Sequence, residues 1–475
     1  MSEREETIPK APSTEESPVE DESYALKDAL VDEVSEALAA EEPERVKEII
    51  EPLHYSDMAD LVERLGPDDR DALVEVIKPD FDPEILHELD EGVRDDVIEK
   101  LGVENVAAAV SEMDSDDAVS VVEEMGEHDQ NRLLAAIPAN ERRVIRDALM
   151  YPEDSAGRLM QREFVRVPPE WTVGETIDFM RRTADDEHED LPEVFYDIFV
   201  VSPDGRPLGS VPLSRLLRSR RQLPVADIME AEMQMIPVTM DQEEVAFLFR
   251  QRDLVSAPVI DENERLVGAI TVDDVVDVIQ EEHEEDLMHM AGVTAGDLHA
   301  SPLMTAWRRF HWLFVTLINN IIALTVISQF EASISQMVAL AVLMPIVAAM
   351  GGNAGMQAVT VVVRGLATKE LSPHNFFRVV LKELGVGAVN GAVFAVILGV
   401  LSALWFDNAM LGAVLGSAMI FNMLWAALAG TLIPITLARF RVDPAIAAGP
   451  FLTTTTDVLG FFSFLGLATH FLLGR

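Results

Sequence analysis

The stretch GPFLTTTTDVLGFFSFLG, residues 449–466, decides how this sequence is read. It lies inside a long apolar run and carries one acidic residue, Asp457. A charge at the centre of a membrane helix costs about 2.5–3.5 kcal/mol even on lenient insertion scales, so a compensating partner is expected. Thr453 stands four residues earlier and shares a helix face with Asp457, and Thr454, Thr455 and Thr456 complete a run of hydroxyls. No Lys or Arg lies within the apolar segments to pair with the carboxylate. A hard cation, which prefers oxygen ligands, suits this set. The plainer alternative is a neutral Asp that holds two helices together by a hydrogen bond.

Working outward, five stretches are long and apolar enough to cross a hydrocarbon core of about 30 Å. They lie near 311–330, 336–363, 385–406, 411–435 and 446–472. Arg308 and Arg309, then Arg364, Lys369, Arg378 and Lys382, then Arg439 and Arg441 fall on one side; Glu331 and Asp407 mark the other. The positive-inside rule then puts the N-terminus in the cytosol and the C-terminus outside. The second stretch contains LMPIVAAMGGNAGMQAVTVVV, where Pro345 and the pair Gly351–Gly352 are expected to interrupt regular helix. Asn353 and Gln357 bring amides into the same stretch, which reads as the lining of a wet cavity or as close helix packing with amide hydrogen bonds. Asn319 and Asn320 read as packing or interfacial groups, and the fourth stretch contains Asn422, to which the sequence assigns no role.

Charge divides the chain sharply. The formal net charge is −47, yet residues from 303 onward hold nine basic and six acidic side chains, so the acidity lies almost wholly before the apolar region. Few of the basic residues are Lys, a pattern that fits adaptation to a salty cytosol as well as a surface that answers to divalent cations. Nucleic acid is excluded as a partner, because phosphate binding needs a basic footprint. Cysteine is absent, which removes disulfides and thiolate metal sites. The N-terminus has no basic start followed by an apolar core, so no cleavable signal is expected.

Before the membrane region two plans follow one another. MADLVERL, DALVEVI, EILHEL, DDVIEKL, DAVSVVEEM and NRLLAAI each show helical spacing of apolar residues, with turn elements such as GPDD and IPANE between them. Short helices in series imply a stacked α-helical domain. Then YDIFVVSPDGRPLGSVPLSRLL and SAPVIDENERLVGAITVDDVVDVI share a strand–turn–strand–helix plan. This repeat resembles a tandem pair of cystathionine-β-synthase-type (CBS) domains, a family that often binds adenine nucleotides. Gly268, Thr271 and Asp274 match that family's pattern in the second copy, with Thr271 and Asp274 as its ribose-binding pair; Gly209, Pro212 and Arg215 stand there in the first. Past residue 280, QEEHEEDLMHMAG continues as an acidic helix whose His283 and His289 read first as parts of a solvated face.

Taken together, YPEDSAGRLM at 151–160, PIVAAMGGNAGMQ at 345–357 and DPAIAAGPFLTTTTD at 443–457 resemble the MgtE family of magnesium channels and transporters along nearly the whole chain. The resemblance implies a multidomain protein: a disordered acidic tail at 1–22, an α-helical superhelical N-domain at 23–155, an α/β tandem CBS pair at 156–285, a connecting plug helix at 286–305 and an all-α membrane domain of five transmembrane helices at 306–475. It implies a homodimer in the lipid bilayer of the cytoplasmic membrane, with the second and fifth spans of both subunits lining one pore. Asp457 would hold hydrated Mg2+ there, with Thr453, Asn353, Gly352 and Gln357 around it. Cytosolic Mg2+ would close the pore by binding among Asp116, Asp117, Asp253, Asp274, Asp277, Glu282, Glu285 and Asp286. ATP or another adenine nucleotide is the further ligand implied for the CBS pair, and no catalytic chemistry is expected. Gly449 departs from the polar residue often found before the Pro of the last motif. Two rivals remain open: a transporter for Co2+, Mn2+ or Zn2+, and a membrane-anchored CBS nucleotide sensor.

Overall fold

The computed structural model describes residues 26–183, 191–192, 194–293 and 302–474, which fall into two compact units divided after Ile279. The acidic tail expected at 1–22 lies outside the described residues, as do residues 294–301 of the expected plug segment.

The first unit opens with ten short helices: α1 (Asp28–Ala39), α2 (Pro43–Ile50), α3 (Tyr55–Arg64), α4 (Pro67–Ile77), α5 (Glu84–Glu88), α6 (Glu91–Leu101), α7 (Val103–Glu112), α8 (Ser115–Glu124), α9 (Glu127–Ala136) and α10 (Ala139–Ala148). Leu61, Leu73, Leu86, Leu101 and Leu133 are fully buried in one continuous core along this series. Helices this short leave a large share of their end carbonyls without intrahelical partners. The chain meets that need with one repeated device. At the fourth helical position of α4, α6, α9 and α10 stands a long polar side chain that reaches back to the end of the preceding helix. Arg70 donates to the Val62 and Leu65 carbonyls at 3.1 and 3.4 Å. Arg94 donates to those of Leu89 and His87 at 2.6 and 3.2 Å. Gln130 donates to Val122 at 2.9 Å, and Arg142 to Ile137 at 2.8 Å. Arg70 and Arg94 are buried and also pair with Asp96 of α6 and Glu124 of α8, in each case two helices further along.

Two three-stranded sheets follow. After α11 (Ala156–Leu159), the first is β1 (Arg166–Val167), β2 (Asp197–Val201) and β3 (Pro207–Pro212), with α12 (Val173–Thr183) and α13 (Leu213–Arg218). The second is β4 (Ile236–Pro237), β5 (Ser256–Ile260) and β6 (Leu266–Thr271), with α14 (Gln242–Arg252) and α15 (Val272–Ala291). Each sheet pairs its first two strands parallel and its last two antiparallel. The register slips at Val200/Val201 in one and at Val259/Ile260 in the other, which are equivalent positions. The copies are laced together reciprocally: Gln161, ahead of the first sheet, bridges Ala269 of β6, and Glu230, ahead of the second, bridges Ser210 of β3. Gly209 and Gly268 make this crossing possible. A Cβ on either would stand 2.7 Å from the crossing carbonyl, of Glu230 and Gln161 respectively.

The second unit holds α16 (Pro302–Ser328), α17 (Glu331–Gln336), α18 (Ala339–Ala367), α19 (Phe376–Trp405), α20 (Ala409–Arg439) and α21 (Pro444–Leu472). All but α17 are long and apolar enough to cross a membrane. The innermost is α20, whose Ala418, Met419, Asn422, Ala426 and Thr431 are completely buried. Contrary to the expectation from sequence, α18 runs unbroken through Pro345 and Gly351–Gly352. A proline in a helix forfeits one backbone hydrogen bond, which neighbouring helices can offset in a membrane bundle. Gly351 instead abuts Asn422 of α20, and a Cβ on Gly355 would stand 2.7 Å from Leu452 of α21. These glycines admit neighbours; they do not break the helix.

The stacking device can be tested by unfolding. Arg94→Ala strips donors from two carbonyls and from Glu124, and we expect a loss of about 2–3 kcal/mol in urea unfolding. Arg45→Ala, which removes an exposed pair with Glu33, should leave the midpoint nearly unchanged. Equal effects of the two would show that the reach-back contacts are not what holds the helices in series.

Candidate functional site

Two places gather the expected site residues, one in each unit. In the first unit the N-terminus of α8 and that of α15 both contribute. Asp116 and Asp117 sit in the first turn of α8, and Asp273 and Asp274 in the first turn of α15. Both places suit a carboxylate, because unpaired N–H groups give a helix start partial positive charge. Asp116 is 6% exposed and its Oδ2 has no hydrogen-bond partner among the described residues. Its Oδ1 accepts from the Asp117 N–H at 3.1 Å. Ser115, beside it, donates to Glu163 at 2.7 Å, which ties α8 to the segment leading into the first sheet.

Burial, and then Asp274 and Asp117 nearby, push the Asp116 carboxyl well above its ordinary range. Burial first, with Asp114, Asp273 and Asp277 adding to it, raises Asp117 to about 7. Asp274 is raised to about 7 by burial and then by Asp273, against a hydrogen bond from Thr271. Glu84 of α5 is raised to about 7 by burial and then by Asp117, and Asp277 is raised by burial although His87 opposes it. Few groups offset this charge: the His87 ring stands 3.6 Å from Asp117. The carboxylates gather without closing into a cage, since among the described residues no three acidic or histidine side chains are set to hold a metal. An orphaned buried oxygen within a like-charged group is what a divalent cation fits.

Not every expected residue joins this group. Asp253 caps α14 in left-handed conformation, φ 52°, and lines a different feature, an open cleft of about 680 Å³ between the two CBS copies. Glu282, Glu285 and Asp286 belong to the second unit. There Asp286 is raised by burial and then by Asp443, and His289 stands 3.2 Å from Asp443 and 3.4 Å from Glu285. Asp443 is the N-cap of α21 and accepts from the Ala445 N–H at 2.7 Å. From sequence His289 reads as part of a solvated face, whereas it meets Asp443; Asp443 had no assigned role, although the Asp-Pro start of α21 was an available signal.

The nucleotide expectation meets a divided arrangement. Thr271 and Asp274 form a capping box at the start of α15, with the Thr271 hydroxyl donating to Asp274 at 2.9 Å. The cleft that Thr271 lines has only about 10 Å³ of free volume. Its counterpart across the repeat is the roomy one, but there Pro212 replaces the threonine, and Arg215 is bound to Glu230 at 2.5 Å. Asp197, Glu230, Glu232 and Asp253 line it, with Arg252 as the one basic group among the described lining residues. Such a lining repels a polyphosphate.

In the second unit, α21 places Asp457 half-buried, with Thr453 on the same face one turn earlier. The hydroxyl run bonds backward to its own helix: Thr453 to the Gly449 and Pro450 carbonyls at 3.1 Å, Thr454 to Pro450 at 2.6 Å, and Thr456 to Leu452 at 3.0 Å. Asn319 of α16 donates to the Pro450 carbonyl at 3.2 Å, so it is a packing group, as expected. On α18, Asn353, Gln357 and Thr360 are exposed and follow one helix face, while Gly352 borders open space. A polar stripe on the outside of an otherwise apolar helix cannot face lipid without cost.

Comparison with known proteins gives concordant matches. Residues 344–467 match the model of the MgtE divalent cation transporter family, residues 53–154 the MgtE intracellular N domain, and residues 156–221 and 225–281 the CBS domain. The chain is 32% identical to the magnesium transporter MgtE of Bacillus subtilis over 391 residues, covering 82% of this chain and 85% of that one. It is 36% identical to the magnesium transporter MgtE of Thermus thermophilus over 321 residues, covering 67% and 70%. A crystal structure of the cytosolic domain of the Mg2+ channel MgtE in complex with ATP aligns with 30% identity and a TM-score of 0.48, covering 52% of this chain and 99% of that one.

Two outcomes check the acidic group and the clefts. Carboxylates raised to about 7 in the folded unit, from about 4 when unfolded, stabilise it fully below pH 4 and cease to do so as pH rises through about 7. Protection from proteolysis by Mg2+, at fixed ionic strength, should therefore be larger at pH 8 than at pH 5.5, and Asp116→Asn should protect without added cation. Equal protection by monovalent salt would reduce the effect to screening. For the clefts, ATP titrated at constant free Mg2+ should show no saturable binding through the millimolar range.

Proposed function

This chain belongs to the MgtE family of magnesium transporters, and from that premise we propose that it is a homodimeric Mg2+ channel of the cytoplasmic membrane closed by cytosolic Mg2+. The observation that carries the proposal is the polar face on the two helices α18 and α21: Asn353, Gln357 and Thr360 exposed on one, Asp457 and Thr453 half-buried on the other. A second copy presenting the same faces would enclose them in water and set two Asp457 carboxylates toward one path. Magnesium sheds its waters reluctantly, so the substrate is a hydrated ion held by carboxylate and amide oxygens. Gly352, which borders open space, leaves room for its water shell. With the N-terminus in the cytosol and the C-terminus outside, a negative interior drives each divalent ion inward by about 4.6 kcal/mol per 100 mV. Oxygen donors and the absence of cysteine favour Mg2+ over Co2+, Mn2+ or Zn2+.

Closure follows from the charge balance in each unit. At low cytosolic Mg2+ the carboxylates of Asp116, Asp117, Asp274 and Asp277 repel one another, and those of Glu285, Asp286 and Asp443 do likewise at the start of α21. A divalent ion among either set removes the repulsion and favours the compact arrangement; Glu282 and Asp253 extend the acidic surface that attracts it. The ion loading the sensor is the same ion the pore admits, so accumulation ends its own entry.

Uptake of Mg2+ into proteoliposomes tests both parts. Wild-type flux should need Asp457, falling at least tenfold in Asp457→Asn with the dimer intact, and should stop when Mg2+ on the sensor side is high. Asp274→Asn combined with Asp277→Asn should keep the pore open at high Mg2+. Flux indifferent to Asp457 would remove that residue from the path.

A further inference from the structure

Asn422 is a side chain that the pore reading leaves without a role. It is completely buried on α20, the helix behind α18 and α21. Its Nδ2 donates to the Val347 carbonyl of α18 at 2.8 Å, two residues past Pro345. Its Oδ1 is buried with no hydrogen-bond partner among the described residues. The amide sits where two glycines lack side chains. A Cβ on Gly351 of α18 would collide with Nδ2, and one on Gly460 of α21 would lie 3.0 Å from the same atom. Gly351 is two residues before Asn353, and Gly460 is three residues past Asp457. One amide therefore touches both polar-faced helices at the level of their polar groups.

We propose that Asn422 is a positioning residue that fixes the spacing and register of α18 and α21, and so the geometry with which Asp457 meets the ion. A half-satisfied amide in an apolar core is costly, and an apolar residue of the same size would fill the space without that cost. Two glycines and one carbonyl converge on it, which is the pattern of a joint and not of chance packing. The glycines let both helix backbones come close, and the hydrogen bond to Val347 stops α18 from sliding past α20. Mutating groups that orient a metal ligand from behind typically costs about 10–100-fold in metal affinity or activity, and a group that never touches the ion is expected to act on the affinity.

This inference rests on the pore reading, so Asp457→Asn is measured beside every variant. Asn422→Leu keeps the volume and removes the donor; Gly460→Ala and Gly351→Ala press on the amide from either side. Dimer recovery by size exclusion and concentration-dependent Mg2+ uptake in proteoliposomes are the measurements. The expected result is dimer in normal yield, maximal flux within about twofold of wild type, and a half-saturating Mg2+ concentration raised about tenfold, with Gly460→Ala shifting it in the same direction. Should Asn422→Leu fail to assemble, the two glycine variants carry the test alone. An unchanged half-saturation in variants that assemble, with flux still dependent on Asp457, overturns the positioning role and leaves the pore standing. Wild-type flux that does not need Asp457 overturns both together.

Discussion

Carboxylate charge without a matching cation is the constraint under which both units are built. Within the apolar segment 446–472 and its neighbours it is Asp457, in stretches that hold no Lys or Arg. In the first unit it is a cluster, with Asp116 buried and its neighbours raised toward neutrality by one another and by burial. A fold cannot hold such groups ionised at no cost. Either protons or a cation must complete it, and completion is then a signal. The helix starts of α8 and α15 lower that cost without cancelling it, since their partial charges amount to about half an elementary charge each.

Everything around the cluster serves to hold it in place. The helices of the first unit are too short to be stable alone, and about a dozen residues is the usual threshold in water. Their ends are instead joined by Arg70, Arg94, Gln130 and Arg142, each closing the carbonyls of the helix before it. That chain of contacts leads to α8. The CBS pair is fixed in turn by its reciprocal bridges at Gln161 and Glu230, which require glycine at 268 and 209. Its β6 leads directly into α15 and into Asp274. Thr271 serves here as a helix cap, and the space that a nucleotide would occupy lies in the opposite cleft.

Much of this was legible in the residues. Six of the ten short helices stood out by apolar spacing; α7 did not, because VENVAAAVSE relies on small alanines that carry little periodic signal. The five membrane helices and the CBS repeat followed from length, hydropathy and internal similarity. Asp457 stood out because it is costly. Glycine and proline in α18 misled, because their effect on a helix depends on what packs against them, and here Asn422 and Leu452 fill the space.

The sequence alone determined the order of the parts, the type of most elements and the costly Asp457 in the last apolar stretch, since these depend on local propensity, period and transfer energy. Tertiary structure alone decided which of many carboxylates are expensive. Asp116 and Asp253 look alike as residues of an acidic chain, yet one is buried in a like-charged group and the other lines an open cleft. It also decided that Asn422 joins two helices distant in sequence, and that His289 meets Asp443 across 154 positions. Burial and proximity between remote residues are set by packing, and neither has a local signature in the chain.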